Sequence, residues 1–326
     1  MTFWALALVV GLAAFAVTSA TASAAVALAW RAAGAATDRL RPVVRARLLL
    51  AARLLPAVVS LVVVAAFVLP AFHRFEPRGQ DEAVGVSLAA LAAAGAALVV
   101  FALARAWRAA RDTRRFVRSC SAGARPLAVE GSAVPATAVD TRFPLVAIVG
   151  LRRPRLLVAD RVLLACTPGE LRAIVAHETS HLQSFDNLKR LAMRCCPDVL
   201  SLTAAGAAIE RAWMEAAEEA ADDHAARVLD DGATTLVLAL LKVARMTPAG
   251  PPASLPATAL HRGDSIERRV RRLLQAPPPE AAVPGWWHAA RGLAVLTGVL
   301  ALAGALDARL LAGVQAAVEL AVTHLP

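Results

Sequence analysis

Hydrophobic and polar positions are distributed unevenly along this chain. Residues 1–30 contain no charged side chain, Leu54 to Phe72 forms a second uncharged run, and Ala83 to Ala104 a third of 22 residues. At about 1.5 Å of rise per residue, each run as a helix crosses a hydrocarbon layer of roughly 30 Å. Three membrane spans are therefore predicted. A shorter apolar stretch, Gly292 to Leu306, follows Trp286 and Trp287 and lies between Arg291 and Asp307. The tryptophans suit an interfacial belt, and a helix starting near Val283 reaches across, so a fourth span is expected here with a short tail beyond it. Cleavage of the first run as a signal peptide at Ala22-Ser23-Ala24 is disfavoured, because no positive region precedes Phe3 and the run is long.

Between these runs the periodicity changes. Pro144 to Val149 and Arg155 to Ala159 are short β-type runs separated by Gly150 and Pro154, as in a hairpin. Helical patterns begin at Thr167, and the thirteen residues Pro197 to Ile209 read as a buried or membrane-touching helix too short to span. Pro248 to Pro256 reads as a loop, and Pro277-Pro278-Pro279 marks a return towards the membrane. The expected fold is predominantly α: multispan membrane helices plus a cytoplasmic α+β domain with a small β-sheet. The expected division is 1–104 for three spans with a basic loop at 31–53, 105–284 for a globular domain, and 285–326 for a fourth span and tail.

Composition agrees with a membrane chain. Of the 326 residues 58% are apolar and 18% charged, against about half and a quarter in soluble domains. The formal net charge of +10 would by itself suggest nucleic acid. The arginines, however, flank the spans: Arg31, Arg39, Arg41, Arg45, Arg47 and Arg53 follow the first, and Arg105, Arg108, Arg111, Arg114, Arg115 and Arg118 follow the third. By contrast, Arg74 and Arg78 in the second connection are offset by Glu76, Asp81 and Glu82. The positive-inside rule then predicts an external N-terminus and a cytoplasmic 105–284 segment, in an inner or plasma membrane. Lipid headgroups become the expected partner of the basic clusters, and direct nucleic-acid binding is not expected. Cys120, Cys166, Cys195 and Cys196 lack paired metal-ligand spacing and are expected to be reduced.

The chemistry concentrates in one helix. Thr167-Pro168-Gly169-Glu170 is a capping box with proline at the first helical position, and the helix it opens carries His177-Glu178-Thr179-Ser180-His181. Histidines four apart share a helix face, so both imidazoles can ligate one zinc ion. Glu178 then stands beside the open coordination position, where it can take a proton from the attacking water and deliver it to a leaving amine. A chain with seven histidines and twelve glutamates would give this pattern by chance about 0.005 times. A catalytic zinc usually has three protein ligands, and the acid-rich helical segment Trp213 to Leu229 supplies the third. Glu218 is the favoured ligand, with Glu219 its rival, and Asp222, four residues on, is placed to orient a ligand histidine.

With these residues in view, HETSHLQSFDNLKRLAMRCCPDVL followed by EEAADDHAARVL resembles the membrane zinc metallopeptidases typified by the BlaR/MecR β-lactam-responsive antirepressors. The resemblance covers roughly Pro144 to Leu274 and extends to heat-shock membrane proteases and CAAX-processing enzymes. It implies a zincin-like metallopeptidase domain with one Zn2+ per chain on His177, His181 and Glu218, Glu178 as general base, and Asp222 behind a ligand. It also implies that Pro144, Leu145, Val146, Ala147, Ile148 and Val149 form an edge strand aligning an extended substrate. The late motif of those relatives matches His261 to Arg268 without its proline. With no tyrosine in the chain, His224, His261, Arg268 or a backbone amide is left to stabilise the oxyanion. No Ser-x-x-Lys motif follows the last apolar stretch, so an external penicillin-binding sensor is not expected.

The expected function is a membrane-embedded zinc endopeptidase cleaving a cytoplasmic regulatory protein such as a transcriptional repressor, with a separate sensor protein as a further partner. The alternatives are a heat-shock-type quality-control protease and a non-proteolytic signalling scaffold with structural zinc. The Asp186-Asn187 stretch favours the antirepressor side, and Glu178 would be superfluous in a purely structural site.

Overall fold

The computed structural model describes residues 2–77, 84–121, 123–141, 143–246, 263–275 and 307–324. Helix α1 (Phe3–Ala33) leads through a 3-10 segment (Gly34–Arg39) into α2 (Pro42–Val63). A π-helical turn (Val64–Val68) joins α2 to α3 (Leu69–Phe75), and α4 (Val86–Ser121) follows. These form three helices long and apolar enough to cross a membrane. Helices α1 and α4 cross closely at Gly95, where a Cβ would lie 2.2 Å from the Leu12 carbonyl oxygen. Small residues permit this backbone approach in lipid, where packing rather than apolar burial drives helix association.

Two expectations change in this region. The basic stretch 31–53 is not a loop throughout, because Pro42 occupies the first turn of α2 and Arg45, Arg47 and Arg53 all lie within that helix. Proline is favoured at that position since it lacks only an N–H that would have been unpaired. The expected boundary at residue 104 falls inside α4, which runs unbroken to Ser121. The expected fourth span at Gly292 to Leu306 lies outside the described residues.

The remainder is a small sheet and a helical layer: β1 (Arg125–Leu127), β2 (Ala136–Val139), β3 (Val146–Val149), β4 (Arg155–Ala159), α5 (Asp160–Ala165), α6 (Pro168–Gln183), α7 (Asp186–Cys195), α8 (Ala204–Val228), α9 (Gly232–Met246) and α10 (Gly263–Leu274). The sheet order is β1-β2-β4-β3. Strands β3 and β4 form the predicted antiparallel hairpin, β2 pairs parallel with β4, and β3 is an edge. Val139, Val146, Leu156 and Val158 build a core with Ile174 and Val175 of α6, which fixes α6 against the sheet. The capping box is formed: Thr167 Oγ1 accepts from Glu170 N–H at 3.2 Å, and Glu170 Oε2 accepts from Thr167 N–H at 2.7 Å.

The stretch Pro197 to Ile209 is not one helix. Asp198 Oδ1 accepts from Ser201 N–H and starts a 3-10 turn (Val199–Leu202). Thr203 Oγ1 then accepts from Gly206 N–H and caps α8. Side chains that offer the backbone such local bonds break helices and start new ones. A last helix, α11 (Ala308–His324), packs on α3, where Gln315 donates to Glu76 at 2.5 Å.

Candidate metal centre

Helix α6 brings His177 and His181 onto one face, with their Nε2 atoms 3.2 Å apart. Helix α8 packs on α6 and brings Glu218 to that face, with the small Ala221 buried one turn on. Glu218 Oε2 lies 3.5 Å from His177 Nε2, and Glu218 Oε1 lies 3.5 Å from His181 Nε2. Ligand atoms of the three residues all fall within 4.8 Å of one another. Glu219, the rival, turns away from the histidines, to Arg268 at 3.5 Å and Arg45 at 3.9 Å.

Each imidazole is held from behind by a carboxylate. Asp222 Oδ1 is 3.0 Å from His177 Nδ1, and Asp186 Oδ2 is 2.8 Å from His181 Nδ1. The His181 contact is a hydrogen bond, whereas Asp222 stands in ion-pair contact with His177 without hydrogen-bond geometry; with a carboxylate against each Nδ1, Nε2 is left as the ligand atom. Arg269 of α10 grips Asp222 with both ends of its fork, Nε to Oδ2 at 2.7 Å and Nη2 to Oδ1 at 2.6 Å. Its Nη1 lies 3.3 Å from Glu218 Oε2.

Glu178 is buried beside this group, and its Oε2 accepts from the Ile148 N–H of β3 at 3.2 Å. Asn187 Nδ2 donates to the Ile148 carbonyl at 3.0 Å. Ile148 sits at a register position where its backbone groups face away from β4, since the neighbouring Leu145–Ala159 pair is a bonded one. The edge strand is thereby tied to α6 beside the histidines and to the start of α7.

Electrostatically the group is a cation trap. Burial opposes the His177 imidazolium, but Asp222 and Glu218 outweigh it and raise its pKa to about 9. Burial likewise opposes the Glu218 carboxylate, yet His181, His177 and Arg269 hold it well below its ordinary range. Asp222 and Asp186 are lowered against burial, the first chiefly by Arg269 and the second by His181. Glu178 moves the other way, because burial raises its pKa more than the histidines lower it. A buried carboxyl with a raised pKa is better suited than an ordinary carboxylate to taking and returning a proton.

The residues fit a zinc ion on an observation independent of the motif. Both Glu218 carboxylate oxygens are buried and, with Arg269 at 3.3 Å and Arg190 at 3.6 Å in ion-pair contact only, accept no hydrogen bond from the described residues. Buried acceptors are seldom left so, and a cation among His177, His181 and Glu218 would satisfy them. Two imidazoles and a carboxylate are zinc donors.

The other expected residues are placed differently. Arg268 is half-exposed and reaches Glu215 and Glu219 on the outer side of α8, so the structure brings Arg269 rather than Arg268 to the histidines. His224 is half-buried on α8, its pKa lowered by burial, Arg227 and His177, and it is not among the clustered ligand atoms. His261 lies outside the described residues. Of Pro144 to Val149, the last four residues form the edge strand β3, with Pro144 and Leu145 leading into it. Sequence reasoning missed three positions. Asp186 carried a signal only as part of the Asp-Asn stretch, Arg269 was hidden in an arginine-rich run, and Asn187 gave no sign of reaching β3.

Residues 146–275 match the model of a family described as Peptidase family M48. No curated protein matches the chain. The matched segment runs from β3 to the end of α10 and contains every ligand atom named above. Metallopeptidases of this family are zinc-dependent. A peptidase match on that segment, joined to three membrane-capable helices, supports a membrane metalloprotease.

Proposed function

We propose that the chain is a zinc endopeptidase of the inner or plasma membrane whose catalytic segment faces the cytoplasm and cleaves a regulatory protein such as a transcriptional repressor. The observation that carries the reading is the clustered group of His177, His181 and Glu218, with Glu178 beside it on α6 and bonded to the edge strand β3. His177, His181 and Glu218 would hold zinc, which when bound supplies Lewis acidity for the scissile carbonyl and the attacking water. An extended substrate would pair along β3 by displacing Glu178 and Asn187 from the outward backbone groups of Ile148. Glu178 would accept the proton of the attacking water and pass it to the leaving amine. Asp222 and Asp186 would keep both imidazoles in the tautomer that presents Nε2, and Arg269 would keep Asp222 ionised.

The cytoplasmic assignment rests on charge and is supported by geometry. Arg45, Arg53 and Arg105 all contact residues of the 193–219 segment, so the catalytic helices lie at the membrane end to which the arginine clusters belong. A purely structural zinc is disfavoured because Glu178 has no part in such a site.

Purified in detergent, the protein should hold one zinc, and Glu178→Ala should retain the metal while losing cleavage. Normal cleavage by that variant would overturn the mechanism. Proteomics of a deletion strain separates a regulatory protease, which leaves one specific target uncut, from a quality-control protease, which leaves many damaged membrane proteins.

A further inference from the structure

Arg53 lies on α2, inside the second membrane-capable helix, and is fully buried. Its guanidinium is shared by three segments at once. Nε donates to Glu210 Oε1 of α8 at 2.7 Å, Nη1 to Asp198 Oδ2 of the 3-10 turn at 2.9 Å, and Nη2 to the Met193 carbonyl near the end of α7 at 3.2 Å. Two other membrane helices converge on the same connection. Ser19 and Ser23 of α1 accept from the N–H groups of Val199 and Leu200, and Arg105 of α4 donates to the Met193 and Arg194 carbonyls.

The connection so held joins the two helices that complete the metal centre. Helix α7 carries Asp186, behind His181, and Arg190, whose Nη2 is 3.6 Å from Glu218 Oε1. Helix α8 carries Glu210 and, eight residues later, Glu218, which is about 12 Å along the axis. The grip of α2 on α8 is repeated two turns away, where Arg45 approaches Glu219. Around Arg53 the interface is apolar, with Leu49 packed on Ile209 and Trp213. Burying an ion costs several kcal/mol before its partners are counted, and an apolar side chain would close such an interface without that cost. What the guanidinium adds is direction, because its planar fork fixes where three partners must stand.

We propose that Arg53 is a positioning residue that sets Glu218 against the two histidines by locking α2 to α8 and to the end of α7, so that the metal centre is tuned by a membrane helix. The proposal rests on the reading of His177, His181 and Glu218 as the zinc site. Its test is zinc affinity of the full chain in detergent, by competition with a chelator, together with the absorption spectrum of the cobalt-loaded protein and the thermal midpoint. Arg53→Met should weaken zinc at least tenfold and alter the cobalt spectrum, and Arg53→Lys should recover part of the loss. Leu49→Ala, which opens a cavity on the same interface, should lower the midpoint but leave affinity within twofold. Equal loss of affinity in Leu49→Ala and Arg53→Met, or an Arg53→Met affinity within twofold of the parent, would overturn the proposal in favour of simple packing. If Arg53→Met does not fold, Glu210→Gln decides, since Glu210 is partly exposed and the change keeps its size. A threefold or greater loss supports the lock and an unchanged affinity overturns it. Glu218→Gln separates the two layers: unchanged zinc affinity in that variant removes the site reading itself, whatever Arg53 does.

Discussion

Asp186 and Asp222 hold the two imidazoles from different helices, and the difference in their own partners separates their expected phenotypes. Asp186 is backed by Lys189, a partly exposed side chain at 3.1 Å. Asp186→Asn should fold normally and weaken zinc about 10- to 100-fold, the usual range for a group behind a ligand, as read by chelator competition. Asp222 is paired with Arg269 where both are almost wholly buried. Arg269→Met should therefore cost about 3–5 kcal/mol in unfolding free energy, because it strands a buried carboxylate. A loss below about 1 kcal/mol would show that the pair is solvated. At the far end of α6, burial alone would raise the Glu170 carboxyl, but Lys242 at 2.7 Å and the Thr167 N–H hold it below its ordinary 4.5. A lowered carboxylate stabilises above its unfolded value and loses that contribution as pH falls through its folded value. Glu170→Gln should thus cost about 1 kcal/mol at neutral pH, with Lys242 partly exposed, and nothing once the parent carboxylate is protonated. Thermal midpoints against pH check this. The Thr167–Glu170 cap was readable because all its partners lie within four residues. Asp186 was not, because it reaches His181 only where Phe185 adopts φ 55 and folds the chain back. Nor could Arg269 be told from Arg268, since one residue turns a helix by 100° and only packing against α8 chooses the inward side.

Among the elements, the hairpin and the His-Glu-x-x-His helix were legible because each is specified locally, by alternation and turn residues in one and by a cap and a four-residue spacing in the other. The segment between α7 and α8 was not. Its apolar residues read as one short helix, whereas Asp198, Ser201 and Thr203 spend their side chains on the backbone and divide it. Their effect depends on a close approach that hydropathy does not record. A Cβ at Gly206 would lie 2.0 Å from the Leu200 carbonyl oxygen, a backbone atom that cannot turn aside. Gly206→Ala should therefore push the 3-10 turn off α8 and destabilise the protein by about 1–3 kcal/mol, as overpacking does. If Arg53 and Asp198 position α8 through this turn, zinc affinity should fall as well. A Gly206→Ala protein with unchanged thermal midpoint would show that the contact yields freely.

For the whole molecule, the division into membrane anchor and catalytic domain that the charge pattern suggests is less sharp in three dimensions. The core around Trp213 draws on both parts: Val26 of α1 and Leu49 of α2 are buried with Met193, Leu200, Ile209, Ala216 and Ala217. The polar contacts fall at one level across the membrane helices. Ser19 is sixteen residues from Phe3 and Arg105 nineteen from Val86, distances of roughly 24 and 28 Å from the opposite end of each helix. That matches a hydrocarbon thickness of roughly 30 Å, so under the proposed topology the Asp198 turn would lie at the inner boundary of the bilayer. A peptidase built this way cannot shed its helices without uncovering Trp213 and leaving Asp198 and Glu210 without Arg53. Residues 105–284 expressed alone should therefore fail to give a monomeric, zinc-loaded protein in the absence of detergent, and the full chain in detergent should give one. Size exclusion with elemental analysis of both tests this. A soluble fragment with one tightly held zinc would mean that the helices only anchor the enzyme, and the coupling through Arg53 would lose its structural basis.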